Sequence, residues 1–190
     1  NESEVLQLAG GQQRLDVGSA NTPWIGQMAH EVGKPLGSIR GNDYLRDDQG
    51  RIITVNGRFS TGPQITYGSA LPKHWGGMLN TFTYKAFRLF TQIDFKAGHK
   101  IISNSEYNFL RAGHSKASLV GREGGVIFPG VNTDGTDNTT AVEAELFYTD
   151  YSGKRVHTPF VNDGSFIRWR TLSLGVDLTR LVSKTFIKSL

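Results

Sequence analysis

Few residues of this 190-residue chain have the type and spacing that metal binding or hydrolysis requires. There is no cysteine, which excludes disulfides and any thiolate nucleophile or ligand. The five histidines contain no i, i+4 pair and no His-x-His motif, so they do not indicate a metal site. Glu143 and Glu145 would share a face if they lay on a strand, but nothing nearby indicates a glycosidase cleft. The sequence predicts a protein that is not an enzyme and needs no cofactor.

A polar segment at residues 132–138, NTDGTDN, carries several oxygen ligands and faintly resembles a calcium-binding loop. It lacks the regular D-x-[DN]-x-[DN]-G spacing and the closing glutamate of that motif. Turns in which Asn or Asp side chains bond the backbone are therefore the favoured interpretation. Asp134, in the middle of the segment, stays a candidate ligand contact.

Three residues elsewhere are also candidate ligand contacts. Trp75, beside Gly76 and Gly77, has a flat apolar ring that could stack on a sugar or a peptide, although an aromatic ring at a membrane interface is the favoured interpretation. Arg122 and Glu123, in the segment GREGG, are more typical of an ion pair that fixes a loop than of ligand recognition. In each case the choice depends on the elements that position the residue.

The composition is typical of a β-rich chain with many loops. Glycine accounts for 23 residues, and charged residues for only 20%. The net charge of +4 is spread along the chain without any Lys/Arg block longer than a pair, so no nucleic-acid partner is predicted. No run of about 18 apolar residues is present, so the sequence predicts no transmembrane helix.

The strongest structural signal lies at residues 76–98, where two short strands are predicted to fold about Lys85 and Ala86. After this turn, residues of different character alternate with a period of two. One face carries Phe87, Leu89, Thr91, Ile93 and Phe95, and the other carries Arg88, Phe90, Gln92, Asp94 and Lys96. The apolar face of such a strand packs on a second sheet in a soluble sandwich, or contacts lipid in an outer-membrane barrel.

A second alternating strand is predicted at residues 165–178, SFIRWRTLSLGVDL. One face carries Leu172, Leu174, Val176 and Leu178, and the other carries Thr171, Ser173, Gly175 and Asp177. A strand of about a dozen residues is long enough to cross a bilayer when tilted. Arg168 and Arg170 have the parity of the leucines, so in a membrane they would have to lie above the lipid, at the upper end of the strand.

Local signals predict the remaining elements. The Asn56-Gly57 dipeptide after RIITV predicts a small hairpin with a type I′ turn. Residues 102–110 are predicted to hold a short helix capped by Ser103 or Asn104. Weaker signals predict the end of a strand at 1–8, loop at 12–35, either strand or helix at 142–148, and the beginning of a further strand at 185–190.

The connections between the strong strands differ greatly in length. The hairpin turns through about two residues, whereas almost seventy residues, 97–164, separate its second strand from the next strong one. Loops longer than about 12–15 residues are uncommon unless they carry function. Outer-membrane barrels combine short periplasmic turns with long extracellular loops, so this asymmetry favours a barrel.

Four ordered segments of the chain resemble the C-terminal half of the SusC/RagA-like TonB-dependent outer-membrane transporters of Bacteroidetes. They are GKPLGSIRGNDYLRDDQGRIITVNGRF at 33–59, YGSALPKHWGGMLNTFTYKAFRLFTQIDFKAGHKI at 67–101, GREGGVIFPGVNTDGTDNT at 121–139 and GSFIRWRTLSLGVDL at 164–178. Each segment is a weak signal alone, but four of them in this order are specific.

The resemblance implies an all-β fold in which residues 1–190 are a fragment of a large antiparallel transmembrane β-barrel of about 22 strands, with long extracellular loops. The plug, the N-terminal strands and the closing strands would lie outside the chain. The implied function is import of glycans or peptides across the outer membrane of a Gram-negative bacterium, with TonB and a SusD-like lipoprotein lid as partners. Trp75, Arg122, Glu123 and Asp134 would then be candidate contacts for the substrate or the lid.

The same resemblance implies a sidedness. Residues 9–76 and 97–164 would be extracellular, and the Lys85-Ala86 turn would be periplasmic, next to an aromatic girdle formed by Phe82, Tyr84 and Phe87. A different class of protein, a secreted β-sandwich that binds carbohydrate, would instead bury the apolar residues of these strands against a second sheet. A glycoside hydrolase would require Glu143 or Glu145 to face another carboxylate at roughly 5–10 Å.

Overall fold

The computed structural model describes residues 1–17 and 26–179. Strands account for 46% of the chain and helices for 18%, so the predicted β-rich fold is confirmed, although two α-helices accompany the strands in the described part. The chain divides into two compact units. Asn1–Leu71 and His99–Asp163 form the first, here called the loop domain, and Pro72–Gly98 and Gly164–Leu190 form the second, here called the amphipathic sheet.

The described strands are β1 Arg14–Val17, β2 Gln27–Glu31, β3 Ser38–Tyr44, β4 Ile53–Val55, β5 Arg58–Phe59, β6 Thr61–Ser69, β7 His74–Tyr84, β8 Phe87–Ala97, β9 Lys100–Ile102, β10 Val131–Asn132, β11 Val161–Asp163 and β12 Phe166–Val176. The helices are α1 Asn104–Arg111 and α2 Ala144–Lys154, with short 3-10 turns at Ala9–Gly11, Lys116–Leu119 and Thr158–Phe160. The loop domain contains the sheets β1-β2-β3-β6, β10-β4-β5 and β11-β9, and the other unit is the antiparallel sheet β12-β8-β7.

Aromatic rings from both chain segments form the core of the loop domain. Phe59, which is fully buried, lies 4.6–5.7 Å, centroid to centroid, from the rings of Tyr44, Phe128, Phe147 and Tyr151. Edge-to-face and tilted pairs of this kind add to the free energy gained by burying the rings. The two segments that the sequence predicted as separate long loops therefore fold together around one core.

A buried carboxylate joins α2 to the hairpin of β4 and β5. Asp150, which is 6% exposed, accepts hydrogen bonds from the Arg58 guanidinium and forms an ion pair with Lys154, whose Nζ lies 3.1 Å from Oδ2. Lys154 also donates to the Phe59 carbonyl. The carboxylate thus has cationic partners from β5 and from its own helix, which offset the cost of burying its charge.

A second polar network fixes β3 to the segment after α2. The backbone N–H of Asn42 donates to His157 Nδ1 at 2.8 Å, and the Asn42 carbonyl accepts from the backbone N–H of His157 at 2.9 Å. The neighbouring Asp43 carboxylate accepts from Thr158 and from Arg46. Burial raises the pKa of Asp43, but the hydrogen bonds from Arg46 and Thr158 outweigh it and leave that pKa below its usual value.

The local turn and cap predictions are confirmed where their residue types determine the backbone. Asn56 and Gly57 adopt φ of 51° and 76° between β4 and β5, as a type I′ hairpin requires. Helix α1 begins after Ser103, whose hydroxyl accepts from the Glu106 N–H at 3.2 Å.

Two weaker predictions are corrected, and the open choice between strand and helix at 142–148 is resolved. Residues 1–8 form only an isolated bridge from Glu4 to Pro35, with no regular strand. The segment 12–35 was predicted as loop, yet its described part contains β1 and β2. Residues 142–148 lead into helix α2, which buries Ala144, Phe147, Tyr148 and Tyr151 at helical spacing. The strand predicted at 185–190 lies outside the described residues.

No helix among the described residues is long and apolar enough to cross a membrane.

Candidate functional site

The amphipathic sheet is the feature of the chain with the most unusual surface. The predicted hairpin is present: β7 pairs with β8 from His74 opposite Ala97 to Tyr84 opposite Phe87, and Lys85 and Ala86 alone form the turn. Lys85 adopts a φ of 54°, and its ammonium group lies 5.3 Å from the centroid of the Tyr84 ring. On the other side β8 pairs with β12 from Lys96 opposite Phe166 to Phe87 opposite Val176. The three strands therefore form an up-and-down meander.

One face of this sheet is apolar along almost its whole length. Directly opposite residues of an antiparallel sheet share a face, so the register groups the side chains into rows across the three strands. From the turn upwards the rows are Tyr84, Phe87 and Val176; Phe82, Leu89 and Leu174; Asn80, Thr91 and Leu172; Met78, Ile93 and Trp169; Gly76, Phe95 and Ile167. Asn80 and Thr91 are the polar exceptions, and Thr91 Oγ1 accepts from the Trp169 indole N–H at 2.7 Å.

The aromatic residues of the apolar face lie towards its two ends. Phe82, Tyr84 and Phe87 cluster beside the turn, as the sequence predicted, while Trp169 and Phe95 lie in the two rows at the opposite end. The inner rows also carry the aliphatic residues Leu89, Leu174, Leu172, Met78 and Ile93. The rows run from Phe87 to Phe95 of β8, and these eight residue-to-residue steps are about 27 Å along the strand.

Nothing among the described residues buries this face. Leu174 is 68% exposed, Leu172 62% and Trp169 61%, and every buried residue of the described chain belongs to the loop domain. Contiguous apolar surface of this kind is rare on soluble monomers and marks contact with another protein or with lipid.

The opposite face is mainly polar. A β-bulge in β12 changes which face the residues before Thr171 occupy, at the end of the strand away from the turn. The register shifts between Trp169 and Thr171, so that Arg168 lies opposite Asp94 and not on the face of Leu172. Arg170, the extra residue, donates from Nε and Nη2 to the Asp94 carboxylate at 2.6 and 3.0 Å. The sequence prediction that both arginines share the leucine face is therefore wrong. The argument that they would have to lie above the lipid depended on that shared face and no longer applies.

Trp75 lies on the polar face. The register places it opposite Lys96, which is itself opposite Phe166, whereas the apolar face carries the neighbouring Gly76. Its side chain is 69% exposed. The favoured sequence interpretation, a ring in an interfacial belt, does not fit a residue on the face opposite Tyr84 and Phe87.

Arg122 fixes a loop, but not through the ion pair with Glu123 that the sequence suggested. Its Nε donates to the Ser118 carbonyl at 3.1 Å and its Nη2 to the Gly113 carbonyl at 2.8 Å. Within the described ranges, no ion pair joins it to Glu123. The guanidinium thereby satisfies two loop carbonyls that would otherwise need water.

Asp134 is the centre of a side chain–backbone turn, which is the interpretation that the sequence favoured. Its Oδ1 accepts from the Thr136 hydroxyl at 2.6 Å and from the Thr136 N–H at 3.0 Å. These bonds, the hydroxyl bond first, lower the pKa of Asp134. No group of three or more His, Asp and Glu side chains suited to a metal ion occurs in the described part of the chain.

A cleft of about 530 Å³ lies in the loop domain, between the end of α1 and the beginning of α2. Its charged lining residues are Arg111, Arg122, Glu143 and Glu145. The two glutamates lie at the first turn of a helix and not on a strand, so the strand placement considered for them is wrong. The structure brings Arg122 and this pair of glutamates together, but leaves Asp134 out of the cleft lining.

The residues that sequence reasoning missed are those whose position depends on the bulge. Phe166 and Arg168 join Trp75 and Lys96 on the polar face only because Arg170 is inserted into the ladder. A break in the alternation of SFIRWRTLSL, where Arg168-Trp169-Arg170 interrupts the pattern, was the available signal.

No protein-family model matches the chain, and no curated protein matches it significantly.

Proposed function

We propose that this chain is part of a TonB-dependent outer-membrane transporter of the SusC/RagA-like class. The amphipathic sheet would be a piece of the barrel wall, and the loop domain would be built from two of its extracellular loops. The observation that carries the proposal is the apolar face of the sheet, which is uncovered and has aromatic residues at both ends. The family itself rests on the resemblance of the four sequence segments.

The dimensions of the apolar face support contact with lipid. Its five rows cover about 27 Å along the strands. At the tilt of about 35–45° that strands have in outer-membrane barrels, this length spans about 19–22 Å of an apolar band about 25 Å tall. Aromatic residues near the two ends correspond to the girdles at the two membrane interfaces. The mainly polar opposite face, with its arginines and Asp94, would line the wet lumen.

The free edges of the sheet also support a larger barrel. Among the described residues, β7 and β12 each have eleven residues and pair only with β8. Long, flat, unpaired edges invite aggregation in a soluble protein. In a barrel both edges would pair with neighbouring strands of the same polypeptide.

The chain connections support the assignment of sides. His74 opposite Ala97, and Phe166 opposite Lys96, place every connection to the loop-domain segments at the end of the sheet away from the Lys85-Ala86 turn. Since the turn is short and the other connections are long, the turn would be periplasmic and the loop domain extracellular.

A secreted β-sandwich module accounts less well for the same sheet. It would bury Phe87, Leu89 and Leu174 against a second sheet, yet these side chains are 52%, 36% and 68% exposed. The partners implied by the transporter class, which are TonB, a SusD-like lid and a glycan or peptide substrate, belong to the proposal.

Membrane fractionation tests the proposed location. We expect the polypeptide to sediment with outer membranes, to resist extraction at alkaline pH, and to be monodisperse only in detergent, because the apolar face has no cover of its own. A periplasmic or secreted protein of known location, followed in the same fractions, is the control. A monodisperse product in the absence of detergent would contradict the proposal.

A further inference from the structure

The upper end of the polar face combines exposed aromatic and cationic side chains. Trp75 of β7, Lys96 of β8 and Phe166 of β12 lie directly opposite one another in one row. In such rows the Cβ atoms of neighbours are about 4.5–5.5 Å apart. Lys96 is therefore flanked by two rings on the same surface.

The next row adds a second cation and an open position. It consists of Gly77, Asp94 and Arg168, and the Arg168 guanidinium lies 4.9 Å from the centroid of the Phe166 ring. Gly77 is exposed and has no side chain to fill the space between Trp75 and Asp94. A flat molecule on the Trp75 ring would therefore reach the cations of this surface without a steric barrier at Gly77.

The charges of this surface are unbalanced. Arg170 neutralises Asp94 through two hydrogen bonds, which leaves Lys96 and Arg168 without an anionic partner among the described residues. Two exposed cations held close together by the strand register repel each other, and an anion between them relieves that repulsion.

We propose that Trp75, Gly77, Lys96, Phe166 and Arg168 form a binding site for an acidic saccharide, here called the upper polar site. The inference rests on the proposed function, in which this face lines the lumen, and it names the substrate class as a sugar carrying carboxylate or sulfate groups. The apolar face of a pyranose ring stacks on Trp75 and its anionic group pairs with Lys96 and Arg168. Phe166 holds the Arg168 guanidinium in place.

Titration calorimetry on the full-length protein in detergent tests the site. The probes are a galacturonic acid tetramer and a chondroitin sulfate tetrasaccharide, with a galactose tetramer as the uncharged reference. We expect at least one acidic probe to bind, the uncharged one to bind at least tenfold more weakly, and the affinity to fall with added salt. The chemistry of the anion distinguishes a carboxylate ligand from a sulfate ligand.

Variants on the two faces provide the controls. Trp75→Ala and the pair Lys96→Met with Arg168→Met are each expected to weaken binding of the acidic probe about tenfold or more. Trp169→Ala removes the same ring from the apolar face, and Arg88→Met removes a cation from the lower end of the polar face. Both controls are expected to change the affinity by less than about twofold, because surface substitutions away from a contact have small effects.

Each result decides the inference. It is overturned if neither acidic probe binds, if the uncharged probe binds equally well, or if Arg88→Met weakens binding as much as the Lys96 and Arg168 changes do. The same preparations carry a nitroxide at Leu174→Cys, which reports contact with the detergent or lipid phase independently of ligand binding. A lipid-exposed label together with failed binding would overturn the site alone, whereas a water-exposed label would overturn the barrel.

Discussion

In the proposed barrel, Leu172→Arg is expected to cost about 2–4 kcal/mol of stability, because it would place a charge near the middle of a lipid-facing band. Leu172 lies in the central row of the apolar face with Thr91 and Asn80 and is 62% exposed. On a surface wetted by water the same change would alter stability by less than about 0.5 kcal/mol. The size of the effect therefore separates the two environments of an exposed leucine.

The matched control for Leu172→Arg is Ser173→Arg, one residue further along β12 and on the polar face. The measurement is the fraction of folded protein in the outer membrane, followed by its heat-dependent mobility in gels. We expect a strong reduction for Leu172→Arg and little change for Ser173→Arg. Equal tolerance of both changes would contradict a lipid-facing β12.

Asp150→Ala is expected to destabilise the loop domain by about 3 kcal/mol, because it leaves Arg58 and Lys154 without the carboxylate that they share. Breaking a buried ion pair costs about 3–5 kcal/mol. We expect the lower end of this range, since the Arg58 and Lys154 side chains keep 33% and 27% of their surface exposed. The change is unfavourable even though alanine is the better residue inside a helix such as α2.

Hydrogen exchange of the amides in Ala144–Lys154 measures this effect locally. A loss of about 3 kcal/mol corresponds to exchange faster by on the order of 100-fold. Asp134→Ala, the same chemical change in an exposed turn, serves as the control and should leave exchange in α2 unchanged. Acceleration of less than about threefold in Asp150→Ala would show that the carboxylate does not hold the helix in place.

The elements that were predicted correctly are those whose signal is local. The turn at Lys85-Ala86 and the alternation on either side of it predict the β7–β8 hairpin, because an amphipathic strand with two accessible faces keeps its period of two. Asn56-Gly57 and Ser103 act through their own backbone and hydroxyl groups, so their turn and cap need no tertiary contacts.

The loop domain could not be predicted in the same way. Its core joins Phe59 to Phe128, Phe147 and Tyr151, which are distant along the chain, and no local period reveals such contacts. β6 contains Gly62, Pro63 and Gly68, residues that usually interrupt strands, and it is held by pairing with β3. Helix α2 has no clear amphipathic pattern in the sequence, because Leu146 is exposed while Asp150 is buried beside the apolar residues.

The candidate site depended on a single inserted residue. Alternation counted through Arg170 assigns Arg168 to the apolar face, whereas the bulge moves it to the face of Trp75 and Lys96. A shift of one residue reverses the face of every side chain on one side of it. The resemblance of four segments supplied the proposed class, but only the register grouped these residues.

The environment of adjacent residues on β12 tests the central claim most directly. The chain has no cysteine, so Leu174→Cys and Ser173→Cys each introduce one labelling site for a nitroxide in the full polypeptide, reconstituted in lipid bilayers. Power saturation by paramagnetic resonance then compares access of oxygen, which concentrates in lipid, with access of a water-soluble nickel complex. We predict high oxygen access at 174 and high nickel access at 173. Equal nickel access at both positions, or exclusion of both reagents from 174, would contradict the lipid-facing sheet.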